Sequence, residues 1–322
     1  MSLQKPPTPD QPSRVPVRIV FLTVLVLVAG LVVWAAVTNQ RIGLVEDVSV
    51  DSLELEDVFE TRDLTLHIVE ETGGVIPVIL LHEVDIAGSV VWDDVVAEVG
   101  ARFKAVRLDL PGFGLSDRLP TEGPGHTVAA MASAVGALVE ERYGLPVVVV
   151  GAGLGGKVAA ELAVTDPGLV RGLVLIDVDF WEEGGWEEFA EKLPWFGPAA
   201  TFTLATGGRF AADRWAPHCD EGGWCPTPEQ AETRALAASL RGTTDSYRSQ
   251  LMTLPSSLVP SDLGEIVSPV VFVWSTAGDV PAASVDRIVD KLPGVTVVEV
   301  DAWKAHLDAP AEVAAAIDTV GR

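Results

Sequence analysis

The stretch that most constrains this chain runs from Leu145 to Val164, LPVVVVGAGLGGKVAAELAV. Val147–Val150 are β-branched residues in a row, and such side chains fit a pleated sheet better than a helix. A glycine cluster follows at Gly151, Gly153, Gly155 and Gly156, and from Lys157 to Val164 the apolar residues take helical spacing. The stretch predicts a buried strand, a tight turn and a helix, the repeating unit of an α/β protein. At the centre of the turn, Gly151-Ala152-Gly153-Leu154-Gly155, stands a residue with no side chain.

The chain on either side repeats that alternation. Leu64, Leu66 and Ile68 alternate with polar residues as a half-exposed strand does, and after Gly73-Gly74 a buried strand covers Val75–Leu81 and ends in His82-Glu83. Trp92–Phe103 reads as helix, Ala105–Leu110 as strand, Pro111-Gly112-Phe113-Gly114 as a sharp loop, Thr127–Tyr143 as helix and Leu173–Asp177 as strand. From Asp179 to about Asp262 the pattern changes to Trp-rich, Pro-interrupted helices. Strand and helix then resume over Val270–Trp274, Ala283–Lys291, Val295–Val300 and Glu312–Val320. This pattern predicts a mostly parallel sheet covered by helices on both faces, with core segments 61-178 and 263-322 and an inserted helical cap over 179-262.

Ahead of the core, Ile19–Val37 reads IVFLTVLVLVAGLVVWAAV without a charge. At about 1.5 Å per residue such a helix covers roughly 28 Å, one bilayer core. It is apolar on every face and longer than the roughly 7 to 15 apolar residues of a secretory signal. The expected order is a disordered, Pro-rich tail over 1-18, a transmembrane anchor over 19-40, and an acidic, helix-poor or strand-like linker over 41-60. Lys5, Arg14 and Arg18 precede the span and Arg41 alone follows it before acidic residues begin. The positive-inside rule therefore puts the N-terminus in the cytoplasm and the rest outside the cell membrane. Secretion after signal cleavage is the alternative.

With 46 acidic against 22 basic residues the net charge is -24, which argues against nucleic acid and anionic lipid surfaces as partners. The 322 residues, 48% of them hydrophobic, suffice for a full core. Cys219 and Cys225 lack the His or Cys company of a zinc site, and nothing in the sequence calls for a metal or cofactor. In an oxidising space the two form a candidate disulfide, although the spacing also allows two free thiols.

The segments LLHEVDIAGSVVWDDVV, VRLDLPGFGLSDR, VVVVGAGLGGKVAAELA, GLVLIDVD and KAHLDAPAEVAAAI, in this order, resemble the α/β-hydrolase superfamily over roughly Asp63–Val320. LDLPGFGLSD is the most specific of them. The resemblance implies an eight-stranded sheet, a cap after the sixth strand, and a Ser, acid and His triad whose Ser sits on a G-x-S-x-G elbow. Here the Ser position is Gly153. The His falls on His306. The acid falls on Asp279 in WSTAGDVP, with Asp177 and Asp179 as alternatives, because Ser275 stands where the family usually has Gly and Gly278 where it has the acid. The backbone donors of the oxyanion hole fall on Val84 and Leu154. The family's His-Gly is His82-Glu83 here, which sets a carboxylate beside a site that must hold negative charge.

Two departures at two catalytic positions predict an impaired or non-catalytic protein. An active hydrolase or lyase, with His306 and Asp279 as a dyad that activates water against ester-like substrates, is the alternative. In the cap, Trp181, Trp186, Trp195 and Trp215 either pack a small helical cap onto the sheet or line an apolar pocket for an acyl chain or another apolar small molecule. The membrane and such a ligand are the expected partners, and no sequence feature identifies a protein partner.

Overall fold

Residues 17–55, 57–61, 64–71, 73–119, 124–181, 196–206, 219, 223–253, 263–292 and 294–322 are described by a computed structural model. The expected tail lies outside them, apart from Val17 and Arg18, which open the first helix. That helix, α1 (Val17–Val45), runs past the expected boundary at residue 40. The linker expected over 41-60 is partly helix and partly sheet, because Val58–Glu60 form the edge strand β1. Three residues are too few to show an alternating pattern, but Phe59 within them is buried and fixes the strand to the core.

After β1 come β2 (Thr65–Glu70), β3 (Ile76–Leu81), α2 (Asp93–Glu98), β4 (Phe103–Leu108), α3 (Val128–Leu138), β5 (Val147–Ala152), α4 (Leu154–Thr165) and β6 (Val170–Ile176). The helix expected over Trp92–Phe103 is shorter than that, since Trp92 closes a 3-10 turn and Phe103 already opens β4. Within the cap lie α5 (Gly197–Thr201), which runs into a π turn at Phe202–Thr206, then α6 (Pro228–Ser239) and α7 (Thr243–Thr253). The core resumes with β7 (Val270–Ser275), α8 (Ala282–Lys291), β8 (Thr296–Val300), α9 (Ala305–Asp308) and α10 (Pro310–Val320).

The strands lie in one eight-stranded sheet in the order β1-β2-β4-β3-β5-β6-β7-β8. The β1–β2 and β2–β4 pairs are antiparallel and the rest parallel. Successive residues of a strand point to opposite faces, so each buried strand feeds two cores. Ile79, Leu81, Val147, Val149, Leu173 and Leu175 pack under α3 and α4. Val78, Leu80, Val148, Val150, Val174 and Ile176 pack on the other face with Trp92, Val313 and Ile317. The sharp loop after β4 is held by Asp109, whose carboxylate accepts from His67 Nδ1, Ser89 N and Leu115 N at 2.8, 2.6 and 2.8 Å. That is the physical content of the LDLPGFGLSD segment. Arg118 at its end donates to the carbonyls of Gly114 and Ser116 and, across to the cap, of Ala237.

Candidate active site

The central strand β5 ends at Ala152, and the chain turns at Gly153 into α4. Close approach at the turn explains one glycine at once, since a Cβ on Gly155 would sit 2.1 Å from the Leu81 carbonyl oxygen. Gly153 needs its glycine for another reason. Its φ of 48° and ψ of -112° form a backbone that a side chain adopts only at a cost of about 1–3 kcal/mol. The Gly153 N–H donates to Ile176 O at 3.0 Å, and its carbonyl accepts from Lys157 N at 3.2 Å. The sharp strand-to-helix turn is therefore built in full, without an attacking atom.

Glu83 occupies the space such an atom would enter. A Cβ on Gly153 would lie 3.2 Å from Glu83 Cβ, closer than ordinary contact. Glu83 follows the fully buried His82, which donates from Nδ1 to the Glu83 carbonyl at 2.5 Å and accepts at Nε2 from Leu110 N at 3.0 Å. Those two bonds fix one neutral tautomer, and burial lowers the His82 pKa. The Glu83 carboxylate pairs with Lys304 Nζ, and its Oε1 lies 3.8 Å from His306 Nε2. Burial acts to raise the Glu83 pKa, but attraction to Lys304 and then His306 outweighs it and holds the carboxyl below its ordinary range. Glu83 is thus a stable anion at the mouth of the oxyanion loop. The N–H groups of Leu154 and Val84 make no hydrogen bond among the described residues, so both backbone donors survive beside it.

His306 stands on α9, buried, with its ring 5.1 Å from that of Trp92. Neither ring nitrogen has a hydrogen-bond partner among the described residues. Burial pushes its pKa down to about 4, with Lys304 adding to the shift and Glu83 opposing it. None of the three candidate acids reaches the ring. Asp279 is exposed in the loop after β7, so the expected Asp279 and His306 dyad is not formed. Asp177 accepts from the Ser275 N–H at 2.7 Å and hydroxyl at 2.6 Å, and Ser275 Oγ accepts from Ala305 N at 2.8 Å. It therefore clamps the segment that carries His306 and leaves the ring alone. Asp179 accepts from Trp181 N at 2.9 Å and from the Ser284 hydroxyl at 3.0 Å. A catalytic imidazole is ordinarily oriented through one nitrogen while the other takes the proton, and here neither nitrogen is engaged.

A sequence model of the alpha/beta hydrolase family matches residues 78–316. The chain belongs to the alpha/beta hydrolase family. Within the family, haloalkane dehalogenase 2 of Mycobacterium tuberculosis (strain ATCC 25618 / H37Rv) is 28% identical over 277 residues, covering 80% of this chain and 92% of that one. The Mycobacterium bovis protein of that name matches equally. A hydrolase from Pseudomonas aeruginosa PA01 superposes with a TM-score of 0.63 at 19% identity, over 82% of this chain and 97% of that one. The epoxide hydrolase CorEH without ligand gives 0.66 at 20% identity, over 81% and 95%. The two structures share the fold.

The family frame did not predict several residues that shape this site. Lys304 neutralises Glu83, and Ser275 links Asp177 to the His306 segment. Arg234 of α6 grips the Asp85 carboxylate at 2.9 and 3.1 Å, joining cap to oxyanion loop. A carboxylate inside a hydrolase site signals that a cation must be near, although not which one. Of the cap tryptophans, Trp186, Trp195 and Trp215 lie outside the described residues. Trp181 is half-buried, with the Arg287 guanidinium 4.0 Å over its ring and Phe180 against it. Cys219 and Cys225 are disulfide-bonded, with Cα atoms 5.1 Å apart. Trp224 in their loop donates to Asp94 and Asp308 at 2.7 and 3.0 Å. Among the described residues no cluster could hold a metal ion.

Proposed function

We propose that this protein is a membrane-anchored, non-catalytic member of the alpha/beta hydrolase family that binds an apolar small molecule between cap and core without turning it over. The observation that carries the reading is the Glu83–Lys304 ion pair beside Gly153. Loss of the nucleophile alone leaves at most about 10³ to 10⁴ over water from backbone donors and positioning. Glu83, held in place by Lys304, works against the remainder by crowding the position an attacking atom would take, 3.2 Å from where a Gly153 Cβ would stand. His306, with neither ring nitrogen hydrogen-bonded and its pKa pushed down to about 4, is an unoriented and weak base.

The ligand class follows from the free N–H groups of Leu154 and Val84, which suit a carbonyl or ether oxygen, and from the aromatic content of the cap. The relatives' names refer to haloalkanes and epoxides, and these with a medium-chain acyl ester make the probe set. The apolar helix α1 serves as the anchor, with the N-terminus cytoplasmic and the globular part outside. The test is to titrate the full chain in detergent micelles with each probe, following tryptophan fluorescence and product in the same samples. The expected result is a saturable change with at least one probe, recovered intact. No saturable change with any probe, or release of product, would overturn the reading.

A further inference from the structure

The end of α1 is built into the cap. Its buried positions include Ala35 and Thr38, and Glu46 follows on the same side of the helix. Helix α5 and the π turn Phe202–Thr206 pack against α1. Glu46 accepts from the N–H groups of Gly242 and Thr244 at 3.0 and 2.9 Å, and from the Thr244 hydroxyl. These donors open α7, so Glu46 caps a helix eleven residues long with the favourable sign of charge. Two residues on, Val48 bridges Leu240 in parallel, donating to Ser239 O at 3.2 Å and accepting from Arg241 N at 2.8 Å. The guanidinium of Arg241 also donates to Asp47 O at 3.2 Å. Three consecutive residues after the helix are thus committed to the α6–α7 corner, which leaves no slack for a swinging tether.

Depth follows from the same contacts. Ala35 belongs to the uncharged run Ile19–Val37, so the part of the cap that covers it stands level with the last turns of that run. Below it, large side chains from Ile19 to Val33 are exposed. On the π turn beside α1, Leu204 is 65% exposed. A largely exposed leucine next to an apolar helix end is what an interfacial element offers to lipid.

We propose that α1 acts as a rigid strut that holds the cap against the bilayer, with the π turn Phe202–Thr206 seated in the interfacial layer and the sheet core farther out in water. This rests on the membrane-anchor reading above and adds an orientation to it. An apolar ligand then reaches the cap from the lipid phase instead of from solution. The chain's formal net charge of -24 limits this docking to neutral lipid, since anionic headgroups would repel it.

The test uses the full chain in phosphatidylcholine vesicles, with bimane attached to a single introduced cysteine; the bonded Cys219 and Cys225 do not take the label. Leu204→Cys reports the π turn, Val26→Cys the middle of the span, and Val75→Cys the far end of the core, where Val75 is 87% exposed. Lipids with a nitroxide near the headgroup are expected to quench the label at 204 at least twofold and to leave the label at 75 unchanged. Lipids with a deep nitroxide should quench the label at 26. Quenching at 26 while 204 behaves like 75 would overturn the cap placement alone. Failure to quench at 26 would overturn the anchor itself. Glu46→Ala, which unclamps the strut, is expected to bring quenching at 204 down toward the value at 75 while leaving 26 unchanged. Undiminished quenching at 204 in that variant would overturn the strut.

Discussion

At the residue scale the site is defined by how Gly153 and Glu83 share one space. Gly153 leaves the space in which Glu83 sits, and Glu83 is tolerated because Lys304 neutralises it. Restoring a side chain at the turn should therefore be unwelcome. Gly153→Ser is expected to lower stability by about 1–3 kcal/mol, from the φ of 48° and the crowding against Glu83, read as a lower urea midpoint. It should gain no ester hydrolysis. The pair itself is only partly exposed, 15% and 19% for its two side chains, so breaking it strands a charge. Lys304→Met is expected to cost on the order of 3 kcal/mol, and Lys304→Met with Glu83→Gln to recover most of that in a double-mutant cycle. Gly153 and His306 were legible in the sequence because they sit at fixed places in strand-turn-helix and strand-loop frames. The acid was not, because it depends on which residue of a loop turns inward. Asp279 points to solvent, and Asp177 spends its oxygens on Ser275.

At the element scale the segment that carries His306 is held by a relay from Asp177 at the end of β6, through Ser275 at the end of β7, to Ala305 at the start of α9. Ser275→Ala removes the hydroxyl that joins Asp177 to Ala305, so each of them loses one hydrogen bond. Its expected cost is about 1–3 kcal/mol, with faster amide exchange over 305–308 as the local readout. Exchange unchanged there would show that α9 is held by packing alone. Long, strongly patterned elements such as β5 and α4 could be read from the sequence. So could the cap, as a block. The edge strand β1 was hidden by its three-residue length, and the end of α1 by Thr38, Asn39, Gln40 and Arg41, polar residues that look like a helix stop. They continue the helix because Thr38 and, farther on, Glu46 face the cap. That contact is long-range and leaves no local pattern.

At the scale of the whole molecule, acid stability sums these buried groups with a definite sign. The folded His306 pKa is about 4 against an ordinary 6.5, so the unfolded chain takes up the proton first. The stability from keeping His306 neutral is present above about pH 6.5 and lost as pH falls toward 4, up to about 3 kcal/mol. His82, lowered by burial, adds in the same direction. Asp109, held down to about 2, extends the loss below its ordinary 3.8. Asp177 and Glu46, both raised by burial, work in the opposite direction. Urea midpoints measured from pH 7 to pH 4 should fall, and His306→Gln should flatten the slope. The family frame and one apolar N-terminal helix surround a site in which Gly153 stands at the turn and none of the three candidate acids reaches the His306 ring. The most direct test is the initial rate of the native full chain and of His306→Ala on acyl ester, haloalkane and epoxide probes at neutral pH. Both proteins should match the buffer blank. Turnover by the native chain that His306→Ala abolishes would contradict the non-catalytic reading.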